Sequence, residues 1–472
     1  MSSTTMKSRA ELETSTNFID RYTCAILKRV NNCDPEWAEA CATSLLSVGL
    51  GPRKFTKTNT GLLHLNVWHA NFSPSGTDKT NPLKYFVYPT VEAISTALTT
   101  KKEEVDLMLP NTFSVEAIIK HMNDGQKEGL ISHDEVSGYI KDIKIKGYNA
   151  DAYETLSKLY DCETVRATFV KLGKYKPIRE PYVTVLIAGT PILYKYLPED
   201  YSVQGTANRI LHLTGEYKPM EVHKGDSDIT SGDDPLEELE EEERTIGSFA
   251  EWLVSLRNSK TTFINIGTEK TEEFLFNNKK RIADTYNTTS DSFLKGYLKR
   301  ANEMTIKLIA LRAFGQIQTE SAKSISMPFI VPRDDDLTWA GEKVWRHVEH
   351  FKKMLKDWGR GSVMEKEPDV FSYSFYASKA TTFLEEFKEG ITLRDFNRKF
   401  GWDTKSKGQI FRFLFDRGEV CFFRQRRGKV FANLIALPTF KEEVEKKPET
   451  SRLTKWETVK HYFLESVEET GT

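Results

Sequence analysis

The sequence contains little cysteine, and none of it is arranged to hold a metal or a disulfide framework. Only five cysteines occur in 472 residues, at positions 24, 33, 41, 162 and 421. No two of them form the C-x-x-C pair of a zinc ribbon or a dithiol redox motif. We therefore predict buried, reduced thiols and a cytoplasmic setting.

Long apolar runs are also missing. No stretch of eighteen apolar residues is present, so the sequence offers no membrane-spanning segment and we expect no membrane partner. The first residues, MSSTTMKSRAELETSTNF, lack the apolar core of a signal peptide.

Net charge is nearly absent, at −1, while hydrophobic residues make up 39% and charged residues 29% of the chain. These values are typical of a globular protein, and the length predicts several domains. Because the whole chain has no strong field, any attraction to nucleic acid must come from a local basic patch.

Two glycines are missing from a segment that otherwise fits a phosphate-binding loop. Residues 73–80, SPSGTDKT, match the G-x-x-x-x-G-K-[ST] pattern at Lys79 and Thr80, but Ser73 and Asp78 replace its glycines. In such a loop backbone N–H groups bind phosphate, the lysine meets the β- and γ-phosphates, and the hydroxyl meets magnesium. The carboxylate of Asp78 would repel those phosphates.

A second interpretation of this segment needs no nucleotide. Pro74-Ser75-Gly76 has turn chemistry, and Asp78 is a good N-cap for a helix that follows it. Both interpretations predict a loop followed by a helix, so the neighbouring segments must decide between them.

The neighbouring segments favour a nucleotide site. A strand predicted over 61–72 leads into the loop, and a second, GLISHDE, ends in Asp134 and Glu135, which suit a magnesium ligand and a base that orients water. The apolar run PYVTVLIAGTP predicts a buried strand that ends at Thr190, a candidate sensor of the terminal phosphate. Solvated acids and a turn threonine are the simpler explanations.

We expect the strands near 63–69, 129–133 and 183–188 to be adjacent and parallel, with the loop and the acids at one edge. His69 and His133 lie beside these motifs, and we interpret both as structural. Residues 221–244 contain eleven acidic residues against Lys224 and Arg244, which predicts an acidic linker or loop.

The order of these segments, with VQGTANRIL at 203–211 and a long helix ending IKLIALRAFG, resembles a family of helicase-like P-loop proteins from phages, plasmids and archaeal mobile elements. That family is known mainly as a domain of unknown function and is often fused to primase modules. The resemblance covers roughly residues 40–315 and implies a RecA/AAA+-like α/β core, mostly parallel, that binds ATP and Mg²⁺ and works as a homo-oligomeric ring.

The resemblance also implies residue roles. Ser75, Gly76, Thr77, Lys79 and Thr80 would bind the nucleotide, with Thr80 and Asp134 at the metal. Glu135 would orient the attacking water, Thr190 would act as the sensor, and Arg209 would act as an arginine finger in a neighbouring subunit's site. The departures from the family's pattern are Ser73 and Asp78.

The C-terminal part predicts a winged helix-turn-helix, with three helices followed by a two-stranded ribbon that turns at Arg427-Gly428. Residues 394–429 contain eleven Lys and Arg against four Asp and Glu, the local patch that phosphate neutralisation needs. A winged helix that binds protein instead of DNA is the alternative. The predicted DNA contacts in the recognition helix and wing are Lys405, Lys407, Gln409, Arg412, Arg424, Arg426, Arg427 and Lys429.

The sequence thus predicts a helical N-terminal region (1–60), an α/β P-loop core (61–220), the acidic linker or loop (221–245), a helical lid (246–360), a winged helix (370–438) and a charged tail (439–472). The predicted function is that of a DNA-associated, helicase-like ATPase of a mobile element, with primase or other replication proteins as further partners. The alternative is a non-hydrolysing, DNA-binding replication initiator or loader that keeps the ATPase fold as a scaffold.

Overall fold

The computed structural model divides the chain into two compact units, Met1–Ser362 and Val363–Thr472. It describes residues 9–30, 32–58, 61–101, 103–110, 115–125, 127–134, 150–166, 176–191, 205–215, 235–260, 263–317, 329–357, 380–393, 395–396, 411–412, 414–427, 430–447, 449–453 and 455.

The first unit begins with three helices, α1 (Arg9–Glu13), α2 (Phe18–Arg29) and α3 (Pro35–Leu50). The sequence starts α3 sharply, because the Asp34 side chain accepts the Glu36 N–H and Pro35 occupies the first turn. Nearly every residue from Trp37 to Leu50 is buried, so α3 is a core helix.

A parallel four-stranded sheet forms the centre of this unit. Its strands are β3 (Trp68–Phe72), β4 (Glu128–His133), β5 (Tyr182–Gly189) and β6 (Leu211–Leu213), and their spatial order is β4-β5-β3-β6. All pairings are parallel, and every residue of β5 is buried. The expected adjacent, parallel strands are therefore confirmed, and the fold is α/β.

Helices cover both faces of this sheet. On one face the Ser44 hydroxyl of α3 lies 2.9 Å from His69 Nδ1, and the Ser132 hydroxyl donates to the Tyr88 hydroxyl. Helix α4 runs from Thr80–Pro82 through a π-helical turn, Leu83–Val87, into Tyr88–Leu98. On the other face Trp68 packs against Tyr160 of α6 (Ala150–Tyr160). Helix α5 (Val115–Asp124) precedes β4.

A second, smaller sheet corrects the predicted strand over 61–72. That segment is two strands, because β2 (Gly61–His64) pairs with β1 (Phe55–Thr58) in one sheet and β3 belongs to the other. The strand β7 (Phe263–Ile264) lies beside β1, and β8 (Phe329–Ile330) lies beside β7. A period-two pattern does not mark where a chain leaves one sheet for another.

Four long helices complete the first unit: α7 (Pro235–Arg257), α8 (Glu269–Thr288), α9 (Ser292–Phe314) and α10 (Asp334–Asp357). Of the predicted acidic linker or loop over 221–245, residues 221–234 lie outside the described residues, and the acidic run from 235 to 244 is helical, as the first part of α7. Glutamate is a good helix former, so the charge run did not exclude a helix. One continuous hydrophobic core joins α2 and α3 to the sheet and to α7, α9 and α10.

The second unit contains an antiparallel sheet of four strands. The hairpin of β10 (Cys421–Arg427) and β11 (Val430–Ala436) confirms the predicted ribbon, since Arg427 pairs with Val430 across the turn. Its neighbours are β9 (Ile391–Thr392) and β12 (Thr450–Leu453), so part of the segment predicted as a tail is folded.

Helical residues at 380–384, 395–396, 411–412 and 414–416 pack on one face of this sheet. Helix α11 (Lys441–Glu445) packs its Val444 on the other face. All five cysteines are free and buried, as predicted. No helix among the described residues is long and apolar enough to span a membrane.

Candidate functional site

The loop at 73–80 leaves the C-terminal end of a central strand and enters a helix directly. It follows β3, which lies between β5 and β6, and Thr80 is the first residue of α4. The ends of parallel strands at such a position, where neighbouring connections run to opposite sides, form the usual crevice for ligands in open α/β sheets.

The loop backbone passes twice through the left-handed region. Gly76 has φ +84° and Asp78 has φ +51°. Glycine takes such angles freely, whereas a side chain there is disfavoured and aspartate is among the few residues tolerated. Asp78 therefore replaces the second glycine of the pattern but keeps a left-handed backbone conformation of the kind that glycine favours.

Lys79 closes the loop on itself. Its Nζ donates to the carbonyl oxygens of Ser73 at 2.6 Å and Pro74 at 2.7 Å, and the residue is 8% exposed. Its own carbonyl accepts the indole N–H of buried Trp37 at 3.0 Å, so α3 fixes the far end of the loop. The ammonium group thus lies against the backbone of its own loop.

Asp78 does not cap the helix that follows. Lys79 occupies the N-cap position with helical angles and no side-chain cap, which corrects the interpretation of Asp78 as the N-cap. Partial burial raises the pKa of the Asp78 carboxyl, and a hydrogen bond from the Asn81 side chain opposes that shift.

Ser73 takes the place of the first glycine by becoming part of the core. It is buried, its hydroxyl donates to the Asn71 side chain, and its oxygen accepts the Gly215 N–H at 2.7 Å. A side chain on Gly215 would collide with this hydroxyl at 2.5 Å. Ser73 therefore ties the start of the loop to the end of β6.

Other loop residues face outward. Ser75 and Gly76 are exposed, and Thr77 donates its hydroxyl to the Pro74 carbonyl at 2.9 Å. Thr80 is exposed at the first turn of α4. The open side of the loop is thus formed by a glycine and two hydroxyl residues.

Asp134 and Thr190 end the two strands on one side of the loop. Ile187 of β5 pairs with both Ala70 and His133, so Asp134 lies level with Asn71. Thr190 follows β5 directly and lies level with Ser73. Strands two positions apart are about 10 Å apart, so the structure brings these residues to one edge. Glu135 lies outside the described residues.

Arg209 lies at the opposite edge of the sheet, two residues before β6 begins. Its guanidinium binds Asp161 Oδ2 at 2.5 Å and the Gly205 carbonyl at 2.9 Å, and it is 9% exposed. Arg300 binds the same carboxylate at 3.3 Å. Arg209 therefore lies at the end of the sheet away from the loop of its own chain. In this conformation its guanidinium is bound by Asp161 and the Gly205 carbonyl.

A polar cluster that was not predicted from the sequence, formed by Glu36, Thr214, Arg346 and His350, links the end of β6 to α10. The Thr214 N–H donates to His350 Nδ1 at 3.2 Å, and His350 Nε2 donates to Glu36 at 2.9 Å. Arg346 binds Glu36 at 2.7 Å. Burial disfavours ionisation of Glu36, but His350, Arg346 and Lys343 outweigh it and hold the pKa of that carboxyl well below its usual range.

The polar cluster borders two small, open clefts. One lies between α3 and α10, and the other lies beside Ser73 and Gly215. The signal in the sequence was a polar stripe at helical spacing in α10, at Trp339, Lys343, Arg346 and His350. Their partners in α3, Glu36 and Glu39, could be found only from the fold.

The buried histidines near the site are structural groups. Burial lowers the pKa of His69 to about 3, and its Nδ1 lies 2.9 Å from the Ser44 hydroxyl. Burial also lowers the pKa of His212 to about 4 and that of His347 well below its usual value. The interpretation of His69 as structural fits its surroundings, and His133 is the half-buried last residue of β4.

In the second unit the described predicted contacts lie on the hairpin and its preceding helix. Arg412 is exposed 3.6 Å from Asp416, and Arg426 is exposed on β10. Arg424 stacks over the Phe431 ring at 4.1 Å. The backbone of Arg427 pairs with Val430. Lys405, Lys407, Gln409 and Lys429 lie outside the described residues.

The fit of a magnesium ion rests on Thr80 and Asp134, an exposed hydroxyl and an exposed carboxylate at one sheet edge. Oxygen ligands of this kind, with phosphate oxygens and water, suit Mg²⁺. Within the part of the chain that the structure describes, no group of three His, Cys, Asp or Glu side chains could hold a metal by itself.

Compared with models of protein families and with curated proteins, the sequence matched none.

Proposed function

We propose that the first unit is a P-loop core that binds ATP with Mg²⁺, and that the chain acts on DNA as a helicase-like ATPase of a mobile element's replication system. Its assembly into a ring and its work with primase or other replication proteins belong to the same proposal. The single observation that carries it is the strand order β4-β5-β3-β6.

In this order the loop leaves a central strand, and the acid-bearing strand lies two positions away. The strand ending at Thr190 lies between them, with its end level with Ser73. A phosphate held by the loop would therefore have a hydroxyl beside it and a carboxylate one strand further away. This is the arrangement that in-line attack on a γ-phosphate with a bridging Mg²⁺ requires.

The residues of the loop can bind phosphate by moving one side chain. Lys79 would give up its two carbonyl partners and turn its ammonium to the phosphates, and the backbone N–H groups near Gly76 would donate to phosphate oxygens. Thr80 and Asp134 would hold Mg²⁺, which neutralises phosphate charge. Glu135 is proposed to orient water, and Arg209 to complete a neighbouring subunit's site after leaving Asp161.

The DNA part of the proposal rests on the second unit. Helical segments alternate with β9 and precede the β10–β11 hairpin, and β11 lies between β9 and β10. This order of elements supports a winged helix, in which the helix around Arg412 would enter the major groove and the hairpin would be the wing. The eleven basic residues between 394 and 429 supply the charge.

A second candidate has its own support. Lys79 already has two oxygen partners within the loop, and Asp78 retains a carboxylate beside it. A chain that never binds ATP would keep such contacts permanently. These features favour a non-hydrolysing initiator or loader with the ATPase fold as its scaffold.

Titration with labelled ATP and Mg²⁺ separates the two candidates. The P-loop proposal expects saturable binding by the wild type and its loss, by a hundredfold or more, in Lys79→Ala. The matched control is Lys84→Ala, an exposed lysine one helical turn further along α4, which should leave binding unchanged. No ATP binding by a wild-type protein that still binds DNA would favour the scaffold candidate.

A further inference from the structure

Phe431 is an exposed aromatic residue near the turn of the β10–β11 hairpin. It is 50% exposed, although the other phenylalanines of the hairpin, Phe422 and Phe423, are buried. It belongs to neither of the described core clusters of the second unit. A single half-exposed ring is ordinary on a protein surface, so its surroundings decide what it can bind.

The surroundings of Phe431 are basic. It pairs in register with Arg426, and the Arg424 guanidinium stacks over its ring at 4.1 Å. Side chains alternate along a strand, so Arg424, Arg426 and Phe431 share the sheet face of Phe422 and Ile435, which pack against the helical segments. Between residues 420 and 440 the sequence contains no Asp or Glu.

We propose that Phe431 is a base-stacking residue, so that the β10–β11 hairpin binds unpaired nucleotides in preference to closed duplex. This inference rests on the proposed DNA function and specifies its substrate class as single strands and forks. The arginines contact phosphates on either side, while the ring meets a base. Stacking needs a base that has left its neighbours, which a closed duplex does not offer.

The charge of this surface selects nucleic acid over a protein partner. A ring that docked an apolar peptide would sit among apolar neighbours, whereas the Arg424 guanidinium stacks over this ring and Arg426 pairs with Phe431 across the two strands. An aromatic ring with arginines around it is the usual composition of single-strand binding surfaces. The ring face does not distinguish sugars, so DNA and RNA strands share this chemistry.

The test measures the full-length protein by fluorescence anisotropy on a single strand, a forked duplex and a blunt duplex. Phe431→Ala should weaken binding to the strand and the fork by roughly tenfold and leave the blunt duplex unchanged. Its salt dependence should not change, because no charge is removed. Phe431→Trp should strengthen binding to the strand and the fork, a gain that misfolding cannot produce.

Two further variants separate this inference from the proposed function. Phe276→Ala removes another exposed phenylalanine, 68% exposed on α8, and should change nothing. Arg426→Gln should weaken binding to all three DNA probes and lower the salt slope by roughly one. A strand of RNA with the same sequence shows whether the site prefers one sugar.

Each result has a fixed meaning. If Phe431→Ala weakens binding to all three probes equally, or weakens binding to none of them, base stacking is overturned. If it weakens none but Arg426→Gln weakens binding, the proposed DNA function still stands. A wild-type protein that binds none of the probes would overturn both the inference and the DNA function. A 2-aminopurine base at the fork should lose its stacking signal on binding to Phe431→Ala.

Discussion

At the residue scale, Asp78 is the main obstacle to the nucleotide binding that we propose. A carboxylate about 4 Å from a phosphate charge costs on the order of 4 kcal/mol at an effective dielectric of 20. Its side chain also occupies a left-handed backbone position, φ +51°, that suits glycine. We expect Asp78→Gly to strengthen ATP binding tenfold or more, as measured by calorimetric titration.

Asp78→Asn is the matched control for this variant, because asparagine keeps the shape and tolerates the left-handed backbone but carries no charge. If charge repulsion dominates, the affinity for ATP should rise equally in both variants. If backbone strain dominates, the affinity should rise only in the glycine variant. Unchanged affinity in both would mean that the carboxylate points away from the phosphates.

The position of the candidate loop could be predicted from single residues, but the contacts that its residues make could not. Lys79, Thr80 and Gly76 marked the segment as a candidate loop. That Ser73 would accept the Gly215 N–H depends on β6 lying beside β3, a pairing separated by 142 residues. The helix-cap interpretation of Asp78 failed because capping preference describes helix starts in general, and here the helix starts one residue later.

At the scale of elements, a buried ion pair joins α2 to α9. Arg312 binds Asp20 through two parallel bonds of 2.6 and 2.7 Å, and both side chains are almost fully buried, at 5% and 3% exposure. Removing one partner leaves a buried charge unpaired, which typically costs 3–5 kcal/mol. We therefore expect Arg312→Met to lower the free energy of unfolding by about that amount in urea titrations.

The exposed pair of Arg244 and Glu240 provides the control, since Arg244→Met should change stability by less than about 0.5 kcal/mol. The double variant Asp20→Leu with Arg312→Met should be more stable than Arg312→Met alone, because no unpaired charge remains. A double variant that is no more stable would show that the loss came from packing and not from charge.

Elements with a strong local signal were predicted well. The apolar run 181–191 became β5, and the periodic segments 290–316 and 338–358 became α9 and α10. The two strands within 61–72 were merged, because both have the same alternation and only their partners differ. Pairing between distant segments is a tertiary property, which local pattern does not encode.

At the scale of the whole molecule, three buried histidines make stability depend on pH. His69, His212 and His347 are neutral in the folded chain, because burial lowers their pKa values to about 3, to about 4 and well below the usual value. In the unfolded chain their pKa is about 6.5. Below that pH the unfolded state binds more protons, so stability falls as the pH falls.

Between pH 7 and 5 each histidine should contribute a loss of about 2 kcal/mol. Chemical denaturation of the first unit at the two pH values measures this loss. His347→Gln keeps a donor for the His212 carbonyl and removes one titrating group, so its loss should be smaller by about 2 kcal/mol. Equal losses in the variant and the wild type would mean that His347 takes up a proton as readily in the folded chain as in the unfolded one.

The bond from the Thr214 N–H to His350 also sets an order of events during synthesis. The two residues are 136 positions apart, and Glu36, which His350 contacts, is 314 positions away from it. At 5–20 residues per second a ribosome needs roughly 7–27 seconds to pass from Thr214 to His350. Throughout that interval the end of β6, which holds Ser73 and the start of the loop, lacks its α10 partner. The loop can therefore reach its final geometry only late, once the chain has been made as far as α10.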